Sequence, residues 1–202
     1  MEWRPRTPFY YGWLILTMSF LAAFAASGVT QVVFGGIQVF IAEDTGWEKS
    51  TISFVVTAGT WGSGLLAPFV GRLADRHGPR WLMPVGILVA AASFFWLAGA
   101  QARWQFAAAY VLGRAVSQPV LIGVVPHTAA VNFFRRRRNI ALALSSTFRP
   151  IGGAINIQII SIIAVHYGWR AAYRYLGVLS LLLVVPMVLV MRRQPEDIGL
   201  LP

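Results

Sequence analysis

The chain has 202 residues, is 57% hydrophobic and 12% charged, and carries a net charge of +10. A soluble domain holds about a quarter charged residues, so that class is excluded, and the absence of cysteine removes disulfides and cysteine-metal sites. The cations lie in short clusters between apolar runs instead of across a solvated face, which argues against nucleic acid as a partner.

Arg4 and Arg6, an apolar run and Ala23-Phe24-Ala25 imitate a signal peptide. The uncharged stretch nonetheless continues from Thr7 to Ala42, far beyond the roughly 7–15 residues of a signal core, and reads as a retained first membrane helix. That span covers about 11–38, with Gly28, Gly35 and Gly36 loosening its end into an extended or re-entrant tail. Five more follow at about 50–71, 81–101, 104–132, 140–165 and 172–191. About 20 residues at about 1.5 Å rise cross a hydrocarbon core of about 30 Å, so each span suffices. Lipid offers no partner for unpaired backbone groups, and nothing here has the short alternating strands of a barrel. The fold class is an all-α membrane protein with six transmembrane helices.

The loops divide the cations unequally. Arg4, Arg6, Arg72, Arg76, Arg80, Arg135 to Arg138, Arg192 and Arg193 fall on one side, eleven in all; Lys49, Arg103, Arg170 and Arg174 fall on the other. The positive-inside rule then places both termini in the cytoplasm of a multi-pass cell (plasma or inner) membrane protein. Arg135 to Arg138 anchor that side and can touch anionic lipid. The third and sixth spans carry little that is polar beyond Ser93 and Ser180, so they are expected at the periphery. The first, fourth and fifth carry Ser27, Thr30, Gln31, Arg114, Gln118, His127, Arg149, Asn156 and Gln158, and are expected to face a cavity.

Arg114 lies about ten residues into the fourth span and Arg149 about nine into the fifth, roughly 14–15 Å deep and close to the midplane. A lone cation there costs at least about 2.5–3.5 kcal/mol on insertion scales and needs a cavity or a partner. All seven acids are expected in loops or tails, which leaves backbone carbonyls, water or an anionic ligand for these arginines. A guanidinium binds carboxylates bidentately, so Arg114 and Arg149 are the candidate residues for a small organic anion. Gln118 lies one turn beyond Arg114 and Asn156 on the face of Arg149; with Gln31 they complete the candidate site. His127 is expected to bond to a neighbouring helix, a proton relay being the alternative. No cofactor or metal motif occurs, and no enzyme is expected. Ser63 between Gly62 and Gly64 hints at an intramembrane serine protease, but Trp61 stands where that motif wants glycine.

Between the second and third spans stands Gly71-Arg72-Leu73-Ala74-Asp75-Arg76-His77-Gly78-Pro79-Arg80, read as a tight charged hairpin. It resembles the signature loop of the major facilitator superfamily, G-x-L-A-D-R-x-G-x-R. Gly71 permits close helix contact, Gly78 a turn with positive φ, and Asp75 can accept hydrogen bonds from Arg side chains such as Arg76 and Arg80. The resemblance implies that Asp75 bridges to the other half of a carrier and helps hold one face shut. Tyr11-Gly12-Trp13, Phe133-Phe134-Arg135 to Ala141, Gly168-Trp169-Arg170 and Pro195 to Pro202 look like the monocarboxylate-transporter-like and oxalate/formate-antiporter branch.

The resemblance covers the N-terminal six-helix half of a twelve-helix carrier, built as two inverted three-helix repeats with helices three and six peripheral. It places a membrane bundle over 1–191 and the start of a cytoplasmic linker over 192–202. Many members carry an Arg in helix four followed by Gln and Gly; here Gln118 comes one place late and Pro119 replaces the Gly. The implied function is secondary transport of a monocarboxylate-like anion by alternating access. The implied partners are the lipid bilayer and a missing C-terminal half or a second copy. A carrier of another substrate and a non-transporting membrane partner are the alternatives.

Overall fold

The computed structural model describes residues 10–134 and 137–192, apart from the side chains of residues 31, 32, 148 and 149. Among the described residues every regular element is helical: α1 Gly12–Ala26, a 3-10 turn Ser27–Val29, α2 Gln31–Thr45, α3 Lys49–His77, α4 Pro79–Gly99, α5 Arg103–Ser117, a π turn Gln118–Ile122, α6 Val124–Phe133, α7 Arg138–Tyr167 and α8 Trp169–Val190. Joined across their breaks, they make six helices long and apolar enough to cross a membrane. The first and last spans meet at one end of the bundle, where the Tyr11 hydroxyl donates to the Val190 carbonyl at 2.6 Å.

The tail of the first span is neither extended nor re-entrant. It is helix α2, entered through a break that falls earlier than Gly35 and Gly36. The break has a local cause. The Ser27 hydroxyl donates to the Phe24 carbonyl at 2.7 Å and the Thr30 hydroxyl to the Ser27 carbonyl at 2.6 Å, competing with the helical ladder beside a weak helix former, Gly28. Thr30 is consequently extended at φ −75°, ψ 152°. Gly28 also admits neighbours, since a Cβ there would stand 2.2 Å from Leu176 Cδ1 and 3.1 Å from Phe94 Cε1. Gly36 instead serves a close contact inside α2, 2.8 Å from Ile157 Cδ1 by the same measure.

The charged segment after the second span is mostly not a loop. Gly71 to His77 continue α3, and the chain reverses at Gly78 alone, at φ 73°, ψ 175°. Three acids expected in loops, Glu43, Asp44 and Asp75, therefore sit in the final turns of α2 and α3. Within this bundle the third span is as buried as the first and fourth, although it keeps an exposed apolar stripe that includes Trp81, Val85, Leu88 and Trp96. Its apolar surface all round reflects packing on two sides, with Gly86 beneath Val120 of the π turn and Phe94 stacked on Tyr173 of α8 at 6.1 Å. The sixth span does turn a broad apolar face outward, including Leu182 and Val185.

An internal repeat is visible in backbone detail. Gly168 ends α7 at φ 82°, ψ 160°, close to the conformation with which Gly78 ends α3. Each donates its N–H to an alanine carbonyl four residues back, Ala74 at 2.8 Å and Ala164 at 3.0 Å. The first and fourth spans each break after a helix of 15 residues. In the fourth the cause is Pro119, which lacks an N–H; the ladder widens so that Gly123 donates to Gln118 at 2.8 Å.

Candidate functional site

The break in the first span frees backbone carbonyls in the middle of the bundle, and the polar residues of the fourth and fifth spans converge on them. Arg114 is 4% exposed; its NH1 donates to the Val29 carbonyl at 2.5 Å. Tyr110, one turn earlier on α5, donates its hydroxyl to the same oxygen at 3.0 Å. Asn156 of α7 is fully buried and reaches the other side of the break, where Nδ2 donates to the Phe24 carbonyl at 2.8 Å and the Ser27 hydroxyl at 2.7 Å. Three spans are thus tied at one irregular turn.

Room for the guanidinium is made by Gly59 of α3, where a Cβ would lie 2.9 Å from Arg114 Cδ and 3.3 Å from Tyr110 Cε1. Arg114 Nε and Asn156 Oδ1 are buried and have no partner among the described residues. With NH1 occupied, the Nε–NH2 edge of Arg114 is the edge left to an acceptor, and a carboxylate matches such an edge with two parallel bonds. In the low dielectric of the bundle each unmatched polar atom is costly, which gives an incoming ligand something to satisfy.

Gln118 is half-buried at the start of the π turn. The side chains of Gln31 and Arg149, the other candidates from sequence, lie outside the described residues. His127 Nε2 stands 3.4 Å from the Ser146 hydroxyl of α7. Ser63 donates to the Thr60 carbonyl of its own helix at 2.8 Å. In the signature segment Gly71 makes only ordinary contact, 3.9 Å from Val124 Cγ1 by the Cβ measure. Asp75, Arg76 and Arg80 are exposed, and Asp75 has no hydrogen bond or ion pair among the described residues.

Sequence reasoning missed Tyr110, whose spacing of four from Arg114 was the available signal. It also missed a cluster at the opposite end of the bundle. There the Trp169 indole donates to Asp44 Oδ2 at 2.9 Å, Arg170 pairs with the same carboxylate, and the Arg170 guanidinium lies 4.3 Å from the Trp169 ring centroid. Arg170 also reaches the Ala100 carbonyl at 3.3 Å, so the cluster ties the ends of the first, third and sixth spans.

Six spans, paired breaks in the first and fourth, and matching glycine turns after the second and fifth define a six-helix membrane bundle of two related three-helix units. Residues 18–201 match the family model of the Major Facilitator Superfamily, and the chain belongs to that family. It is 26% identical to an MFS-type transporter of Gibberella moniliformis over 98% of this chain and 48% of the relative. It is 25% identical to Monocarboxylate transporter 14 of Mus musculus over 93% of this chain and 36% of the relative. It is 26% identical to the Membrane sensor protein UhpC of Escherichia coli over 64% of this chain and 29% of the relative. The chain spans about half the length of the first of these.

Proposed function

We propose that this chain is the N-terminal half of a secondary carrier that moves a small, monocarboxylate-like organic anion by alternating access. The observation that carries the reading is the buried Arg114: one nitrogen holds the broken first span, and its buried Nε has no partner among the described residues. Arg149, Gln118, Asn156 and Gln31 complete the site in this reading. Similarity to a protein named a monocarboxylate transporter supports the substrate class. A C-terminal six-helix half, or a second copy, completes the carrier, and the stretch 192–202, all but its first residue outside the described residues, is the start of the linker in this reading. Both termini lie in the cytoplasm, and Asp75, which has no partner among the described residues, takes a hydrogen-bond donor from the opposing half when that face shuts. Similarity to a membrane sensor protein favours a second reading, in which the bundle binds its ligand without moving it.

The test is uptake of radiolabelled lactate or oxalate into proteoliposomes, using the chain alone and together with a C-terminal half. Saturable uptake that is lost in Arg114→Ala and Arg149→Ala supports the anion site. Uptake unchanged by both substitutions removes it. Saturable binding without uptake in either preparation favours the sensor.

A further inference from the structure

A second feature lies outside the central site, on the outer surface at the signature-segment end. Leu66, Val70 and Leu73 of α3, Trp81 and Val85 of α4, and Val120 of the π turn line a groove of about 440 Å³, with Gly86 in its lining. Among its lining residues only His77 is polar, and His77 is the last residue of α3. Trp81, which also lines the groove, is more than half exposed, and the Arg80 guanidinium lies 5.5 Å from its ring centroid. The groove is therefore an apolar slot with a cation at one end. Its segment carries Arg72, Arg76 and Arg80 against the single acid Asp75.

We infer that this groove holds one acyl chain of an anionic phospholipid, with the lipid phosphate bound at the mouth by Arg80 beside His77. Depth, charge and amphiphilicity each fit. From His77 back to Leu66, α3 rises about 16 Å at about 1.5 Å per residue. That is about half of a hydrocarbon core of about 30 Å, so the slot reaches through one leaflet. Tryptophan belongs at headgroup level, and an arginine resting on it there holds its charge where a phosphate lies. A chain in a slot meets carbon on several sides, where a chain on a flat helix face meets it on one. An anionic lipid supplies the counter-charge on the same molecule as the apolar tail, whereas a docked helix matches the cation only if it carries an acceptor at that one position.

The experiment uses the purified full chain, stripped of lipid in detergent and then offered phosphatidylglycerol, phosphatidylcholine of the same chains, or inorganic phosphate. Retained lipid is read by native mass spectrometry and the melting temperature in parallel. Phosphatidylglycerol is expected to be retained roughly fivefold better than phosphatidylcholine, the contribution of one cation near an anionic headgroup. Arg80→Gln should erase that preference while keeping chain binding; Val85→Trp, which fills the slot from an exposed position, should release both lipids. Equal retention of the two lipids by the unsubstituted chain overturns the inference whatever the variants do. So does stabilisation by inorganic phosphate equal to that by phosphatidylglycerol. A photocrosslinker at position 85, in liposomes with the C-terminal half present, must label lipid; labelling of that half or of a second copy also overturns it.

Discussion

Arg114 on the fourth span donates to the backbone carbonyl of Val29 on the first at 2.5 Å, at the point where α1 and α2 part. A lone guanidinium in the middle of a membrane bundle and a carbonyl freed from its helix are each unfavourable alone, and each satisfies the other. The contact ties the two spans that break after equal lengths of helix, one in each three-helix unit.

Because Val29 accepts from both Arg114 and Tyr110, either donor alone keeps its oxygen satisfied. Tyr110→Phe should cost about 1 kcal/mol and Arg114→Met about 1.5–3 kcal/mol. The double variant should cost about 0.5–3 kcal/mol more than their sum, because only then is the carbonyl orphaned. Chemical denaturation in detergent reads the cycle, and simple additivity contradicts the shared acceptor.

Gly59 is the space into which Arg114 fits. Gly59→Ala should cost about 1–3 kcal/mol as an overpacked contact. Gly64→Ala, on the same helix with no atom within 4 Å of its added Cβ, should stay within about 0.5 kcal/mol. Equal melting points for the two variants rule out the packing account.

Among the described residues three glycines have positive φ, and they are not equivalent. Gly46 is left-handed helical at φ 66°, ψ 17°, whereas Gly78 and Gly168 occupy a region with ψ near 180° that is essentially glycine's alone. Asparagine tolerates the first conformation but not the second. Gly46→Asn should therefore cost under about 1 kcal/mol, and Gly78→Asn or Gly168→Asn about 1–3 kcal/mol each. Thermal melts of the three variants decide it.

The Asp44–Arg170 pair is substantially exposed, with side chains 51% and 36% accessible. Its charge should contribute no more than about 1 kcal/mol, and that contribution should fade as salt shortens the screening length. Asp44→Asn is expected to shift the melting temperature slightly at low salt and not at about 1 M salt. A large shift that persists at high salt means that the carboxylate acts through the Trp169 hydrogen bond more than through its charge.

Six spans, their helical state and the charge asymmetry of their ends were set by local composition. An apolar run long enough to cross lipid has one economical conformation, whichever neighbours it finds. Gly78 was legible too, because a ten-residue charged segment between two such runs must reverse, and glycine alone suits that reversal. Arg114 announced itself as a cation at mid-depth and Asn156 as a polar residue on the face of Arg149, but their partners did not. Backbone carbonyls have no signature in sequence, and which of them is freed depends on where Ser27, Gly28 and Thr30 let the first span break. The burial of the third span was hidden for a related reason: an apolar helix surface suits lipid and protein equally, so only the packing of α4 against α5 and α8 decided its place.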